Sequence, residues 1–137
     1  MKLPIALGLL MMASAPAAAE DTLYTDMGGK AGIDRMVDEV EKVYLADPRI
    51  KDIFGESNLE RLNGKLKEHF CVVAGGPCVY TGHSMEAAHK GLHLHNADFN
   101  ALVEDLQTAM DKCQIPFATQ NRFLARLAPM QHQVVSR

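Results

Sequence analysis

Apolar residues recur at intervals of three and four along most of this chain, and nowhere do they alternate for long enough to make a strand. Ile33, Met36, Val37, Val40 and Tyr44 share one side of a helix predicted from Gly28-Gly29 to Asp47-Pro48, with Asp34, Asp38 and Lys42 on its solvated side. Pro48, suited to a first helical position because its missing donor is not needed there, introduces a short helix with Ile50, Ile53 and Phe54. Ser57-Asn58 opens a longer helix to about Ala74, along which Leu59, Leu62, Leu66, Phe70 and Val73 form one apolar stripe. Gly75-Gly76-Pro77 stops it, and Tyr80-Thr81-Gly82 lie in the loop beyond. A brief helix from Ser84 to Lys90 carries Met85, Ala88 and His89. Asn96 then caps a helix with Asp98 in its first turn and Phe99, Leu102, Val103, Leu106 and Met110 on its apolar face. A last helix after Pro116 carries Phe123, Leu124, Leu127 and Val134. The fold class that follows is all-α.

Residues 1–19 do not share this pattern. Lys2 precedes an uncharged run from Leu3 to Ala15, too short for a bilayer span, and Ala17-Ala18-Ala19 offer the small side chains a signal peptidase accepts before Glu20-Asp21. The expectation is a signal peptide cleaved after Ala19 and a periplasmic protein of residues 20–137, with no membrane association after cleavage. The alternative is a membrane-anchoring helix, which no second apolar stretch or flanking basic cluster supports. The full chain carries a net charge of −3 and no Trp. Nucleic acid is therefore not expected as a partner, and the loss of Lys2 leaves the remainder more acidic. Export permits a disulfide, and Cys71 and Cys78 would close a short loop around Gly75-Gly76-Pro77, worth roughly 2–3 kcal/mol if unstrained. Alternatively they are two independent core residues; Cys113 is the odd one. No CxxC or CxxCH occurs, so covalent c-type haem attachment is not expected.

Five of the six histidines, at positions 69, 83, 89, 93 and 95, fall in one stretch, with His132 apart. Imidazole binds iron, copper and zinc, so this density raises a metal hypothesis. His89 is the best placed, one helical turn after Met85, whose carbonyl could accept the N–H of the near ring nitrogen while the far one binds metal. Pattern alone favours a satisfied core histidine over a ligand. Nothing resembles a phosphate-binding glycine loop, a nucleophile elbow or a paired-carboxylate site.

From Leu23 to about Val135 the sequence is similar to the group I truncated haemoglobins. The similarity rests on Leu23-Tyr24, Met27-Gly28-Gly29, Leu45-Ala46-Asp47, Phe54, Gly75-Gly76-Pro77, Tyr80-Thr81-Gly82, Met85…His89…Gly91 and Ala128-Pro129 in this order and spacing. The resemblance implies a two-over-two helical sandwich around haem b, with His89 as the iron ligand and Phe54 against the haem face. It further implies that Leu62, Leu66 and Phe70 form the opposite, distal wall, that Phe99, Leu102 and Leu127 close the pocket from behind, and that Lys65, Tyr80 and Met85 are among the surrounding residues. The function implied is binding of a diatomic gas at the iron.

The departures are on the distal side. Oxygen-avid members present a tyrosine from the second helix and often a glutamine from the facing one, whereas the matching positions here are Glu41 and Leu66. Neither leucine nor an ionised carboxylate donates a hydrogen bond to dioxygen. Nitric oxide dioxygenation, which needs dioxygen retained on iron, is thereby weakened as an enzymatic reading. Lys65 is placed either to pair with a haem propionate or to act as an internal sixth ligand. Ligation by Lys65 would imply electron transfer or redox sensing with a redox partner protein. His69, next to Phe70, is expected to face away from the iron. A third alternative has His89, His93 and His95 holding a non-haem metal.

Overall fold

The computed structural model describes residues 21–136, and the export signal read over residues 1–19 lies outside them. α1, Leu23–Asp26, is a single turn that ends at Met27. Gly28 then takes φ 92°, a backbone conformation that costs glycine little and other residues much, and turns the chain into α2, Gly29–Ala46. Gly32 lets that turn close tightly: a Cβ there would strike the carbonyl oxygen of Met27. The predicted apolar face of α2 is fully used, with Ile33, Met36, Val37, Val40 and Tyr44 each at most 1% exposed. Burial of each such side chain contributes about 1.5–3 kcal/mol.

The segment after Pro48 is a 3-10 turn, Lys51–Phe54, rather than a short α-helix. α3 spans Leu59–Val73, and the side chain of Asn58 caps it by accepting from the Arg61 N–H at 3.0 Å. α4, Met85–His89, is capped by the hydroxyl of Ser84, which accepts from the Ala87 N–H at 3.1 Å. α5 runs over Asn96–Lys112. Its cap is His95, one residue earlier than expected, whose backbone N–H donates to Asp98 Oδ2 at 2.8 Å. The predicted last helix is broken. α6, Phe117–Leu127, passes into a 3-10 turn, Ala128–Met130, before α7, Gln131–Val134. Pro129 supplies the reason: it lacks the N–H that a continuous helix needs, and its ring crowds the preceding turn.

α2 packs against α3 and α5, and α6 against α5, α3 and α1, so the pairs α2–α3 and α5–α6 form a two-over-two sandwich. Arg122 and Arg126 on α6 hold the start of the described chain, donating to Asp26 and Asp21 respectively at 2.7 Å. The Arg126 guanidinium also reaches the carbonyl of Val73, tying in the end of α3. Cys71 and Cys78 face one another there, with Cα atoms 6.0 Å apart, a separation a disulfide spans. Among the described residues no helix is long and apolar enough to cross a membrane.

Candidate functional site

His89 closes α4, and its Nδ1–H donates to the carbonyl of Met85 at 2.6 Å. A carbonyl can only accept, so the hydrogen is on Nδ1 and the lone pair of Nε2 is left for a metal. The one-turn spacing of Met85 and His89 produces this geometry, and the Ser84 cap fixes the turn that contains both. His89 is half-buried.

The apolar side chains expected around it fall into two groups. Phe54, Leu62, Leu66, Phe99 and Leu102 are half-buried; all but Phe99 pack against the core while keeping part of their surface uncovered. Phe70 and Leu127 are more deeply buried than these. Phe70 is buried and meets Phe123 edge-on at 5.2 Å, and Leu127 belongs to the same core. A flat macrocycle lying against the first group would remove its remaining apolar surface from water, each Å2 contributing about 25 cal/mol. The donor set fits a haem: one imidazole with an oriented free nitrogen, among leucines and phenylalanines.

Tyr80 donates its hydroxyl to the carbonyl of His83 at 2.6 Å, which braces the loop rather than presenting the hydroxyl to a ligand. Its ring lies 5.4 Å from that of His69. His69 was expected to face away, yet burial, and then the nearness of His89, push its imidazole below the ordinary value, so it stands on the His89 side of α3. Sequence reading placed it by adjacency to Phe70; the usable signal was its distance from Leu62 and Leu66, seven and three positions back on the helix, which gives it the same face.

Lys65 is engaged. Its ammonium bonds the Thr81 hydroxyl and lies 3.6 Å from Glu68, and Glu68 in turn accepts from the Thr81 N–H at 2.9 Å. This cluster joins α3 to the loop and gives no support to an internal lysine ligand. The non-haem alternative also finds none. α4 ends at His89, His93 has left the helix with φ 53°, and His95 has an 83% exposed side chain. Among the described residues no group of three potential ligands could hold a metal ion.

On the α2 side, Glu41 Oε2 accepts from Asn63 Nδ2 of α3 at 3.2 Å. Tyr44, on the same face of α2, stacks on Phe54 with ring centroids 4.1 Å apart. Its hydroxyl is buried without a hydrogen-bond partner among the described residues, near enough to Glu41 to feel its charge. Burial, reinforced by Glu41, pushes this phenol well above its ordinary range.

Comparison with known proteins agrees with this architecture. The bacterial-like globin family matches residues 22–136. A group 1 truncated haemoglobin of Tetrahymena thermophila is 33% identical over 66% of this chain and 75% of its own length. That of Mycolicibacterium paratuberculosis is 28% identical over 84% and 85%. The Fe(III) crystal structure of the Tetrahymena pyriformis truncated haemoglobin superposes with a TM-score of 0.82 at 25% identity, covering 84% of this chain and 98% of that one. The cyanomet 2/2 haemoglobin of a Synechococcus species, with covalently attached haem, shares the fold at a TM-score of 0.79, 24% identity and the same two coverages. With its two-over-two helices and its oriented His89, the chain belongs to the bacterial-like globins and, within them, to the group 1 truncated haemoglobins.

Proposed function

We propose that this globin holds haem b through Nε2 of His89, with Phe54, Leu62, Leu66, Phe99 and Leu102 against the macrocycle, and binds a diatomic gas on the opposite face of the iron. The observation that carries this reading is the hydrogen bond from His89 Nδ1 to the Met85 carbonyl, which orients the ring and leaves the other nitrogen free. Haem as cofactor and a diatomic gas as ligand follow from membership of the family. The bound haem supplies an iron position where the gas is held. The chain supplies the axial imidazole, the apolar enclosure that keeps the macrocycle out of water, and the polar fringe of Lys65, Glu68 and Thr81. Without a tyrosine at position 41 or a glutamine at position 66, a bound dioxygen meets no strong donor there, so reversible binding is favoured over prolonged retention.

Titration of the mature chain with haemin tests this. The expected result is a Soret band that saturates at one haem per chain and shifts on reduction under carbon monoxide. A chain that leaves haemin in its free form overturns it.

Residues 1–19 support export to the periplasm after cleavage behind Ala19, and a Cys71–Cys78 disulfide suits that compartment. Intact mass of periplasmic protein is expected to begin at Glu20 and to rise by two hydrogens on reduction. Retention of residues 1–19, or an unchanged mass, counts against the respective assignment.

A further inference from the structure

The segment that carries His89 is anchored far less than the helices on either side of it. From Gly75 to His93 the chain buries none of its own residues, and α4 within that stretch is five residues long. Its far end is held by Leu94, 7% exposed, whose carbonyl accepts from the Ser136 N–H at 2.9 Å, and by α7, which packs on α4. At its near end the Gly76 N–H still donates to the Cys71 carbonyl at 2.9 Å. Beyond Gly76, the hydrogen bonds back to α3 are those of Thr81 with Lys65 and Glu68, all of them exposed, and exposed polar pairs hold weakly. The link between Cys71 and Cys78 is of another order. Cys71 lies in the last turn of α3 and is 4% exposed, and Cys78 is partly buried against the same core. With the bond closed, the segment starts from a fixed point on α3. With it open, Cys78 keeps its packing and one hydrogen bond, from its N–H to the Gly76 carbonyl, which lies inside the loop itself.

We propose that Cys71 and Cys78 form a thiol–disulfide switch on haem retention: closed, the bond pins the segment that presents His89; opened, it loosens His89 and with it the chain's hold on haem. The inference rests on the haem and disulfide readings above. Opening takes a dithiol as reductant. One of its thiolates attacks Sγ of Cys78, the less buried of the two residues. The Sγ–Sγ bond breaks, and Cys71 leaves with the bonding pair and takes up a proton. The second thiolate of the reductant then displaces Cys78 from the mixed disulfide, and Cys78 takes up a proton in turn. The chain gains two electrons and the two protons that the dithiol gave up, and the reductant is left as its own disulfide.

The test compares the full mature chain, loaded with haemin, in its oxidised form and after reduction by dithiothreitol, which is then removed under argon. Hydrogen–deuterium exchange read by mass spectrometry should be about tenfold faster or more over residues 79–93 of the reduced chain, and unchanged over α2. Transfer of haemin to an excess of apomyoglobin should accelerate by a similar factor. The double variant Cys71→Ala, Cys78→Ala should match the reduced wild type in both measurements and ignore the reductant. The failures stay distinct. A chain that takes up no haemin in either form overturns the haem reading and the switch with it, and an unchanged mass on reduction overturns the disulfide reading. A chain that holds haemin, gains two hydrogens on reduction, and yet shows equal exchange over residues 79–93 or equal haemin transfer in the two forms overturns the switch alone.

Discussion

Replacing Asp105 by asparagine is expected to stabilise this protein at neutral pH. Asp105 lies on α5 and is 5% exposed; its Oδ1 is 3.7 Å from Arg49, and its Oδ2 has no partner among the described residues. Arg49 is mostly committed to Asp47, to which it donates from its backbone N–H at 3.0 Å, from Nε at 3.1 Å and from Nη2 at 2.9 Å. Asp47 is thereby held well below the carboxylate range, whereas burial and the adjacent Asp47 push Asp105 up from 3.8 to about 6. A carboxyl moved that far costs about 3 kcal/mol when ionised. Arg49, with a 52% exposed side chain, admits solvent to the pair, so we take about 1–2 kcal/mol as the effect. The sign follows from proton binding. Below about pH 4 Asp105 is protonated in folded and unfolded chains alike, and the cost is absent. Between about 4 and 6 the folded chain holds the proton more tightly, so stability falls as pH rises, and above about 6 the whole cost is present. Asp47 acts in the opposite sense and below that window, its contribution being lost as pH falls under its unfolded value of 3.8. Asp105→Asn removes the cost and offers Asp47 an N–H donor. Urea unfolding followed by circular dichroism at pH 4.5 and 7.5, at matched haem occupancy, should show the variant more stable at 7.5 and less dependent on pH. A variant less stable than wild type at pH 7.5 would refute the reasoning and make Asp105 a productive partner of Arg49.

Gly32→Ala should destabilise the chain by about 1–3 kcal/mol, because the added methyl meets the Met27 carbonyl, a backbone atom that cannot move aside; urea midpoints would show it. Lys65→Ala should leave the ferric and ferrous spectra unchanged in spin state, since the ammonium is occupied by Thr81 and Glu68. Conversion from low-spin to five-coordinate in that variant would restore the internally ligated alternative.

The parts of the fold that were legible in the sequence are those set by spacing within one element. The three- and four-residue recurrence on α2 names its buried face residue by residue, since a helix with one solvated side has little choice of which side to bury. The Met85–His89 hydrogen bond was legible for the same reason: one turn separates donor and acceptor. What spacing could not give is how a stripe divides between neighbours. Leu62, Leu66 and Phe70 read as one face, yet α3 leaves the first two half-covered and turns Phe70 onto Phe123 of α6, a partner distant in sequence. The break at Pro129 is marked in the sequence by the proline and masked by an apolar period that continues to Val134. His95 replaced Asn96 as the α5 cap because the Asp98 carboxylate reaches the backbone of position 95, a contact that outweighs the intrinsic preference for asparagine. The Glu41–Asn63 contact joins two helices and needed their relative placement, which no local pattern contains.

The central claim is that His89 is the axial ligand, and the iron–imidazole stretching band in the resonance Raman spectrum of the ferrous, ligand-free protein tests it most directly. The band should be present in the wild type, absent in His89→Gly, and restored when imidazole is added to that variant. Its persistence in His89→Gly without added imidazole would place the iron on another side chain and contradict the account.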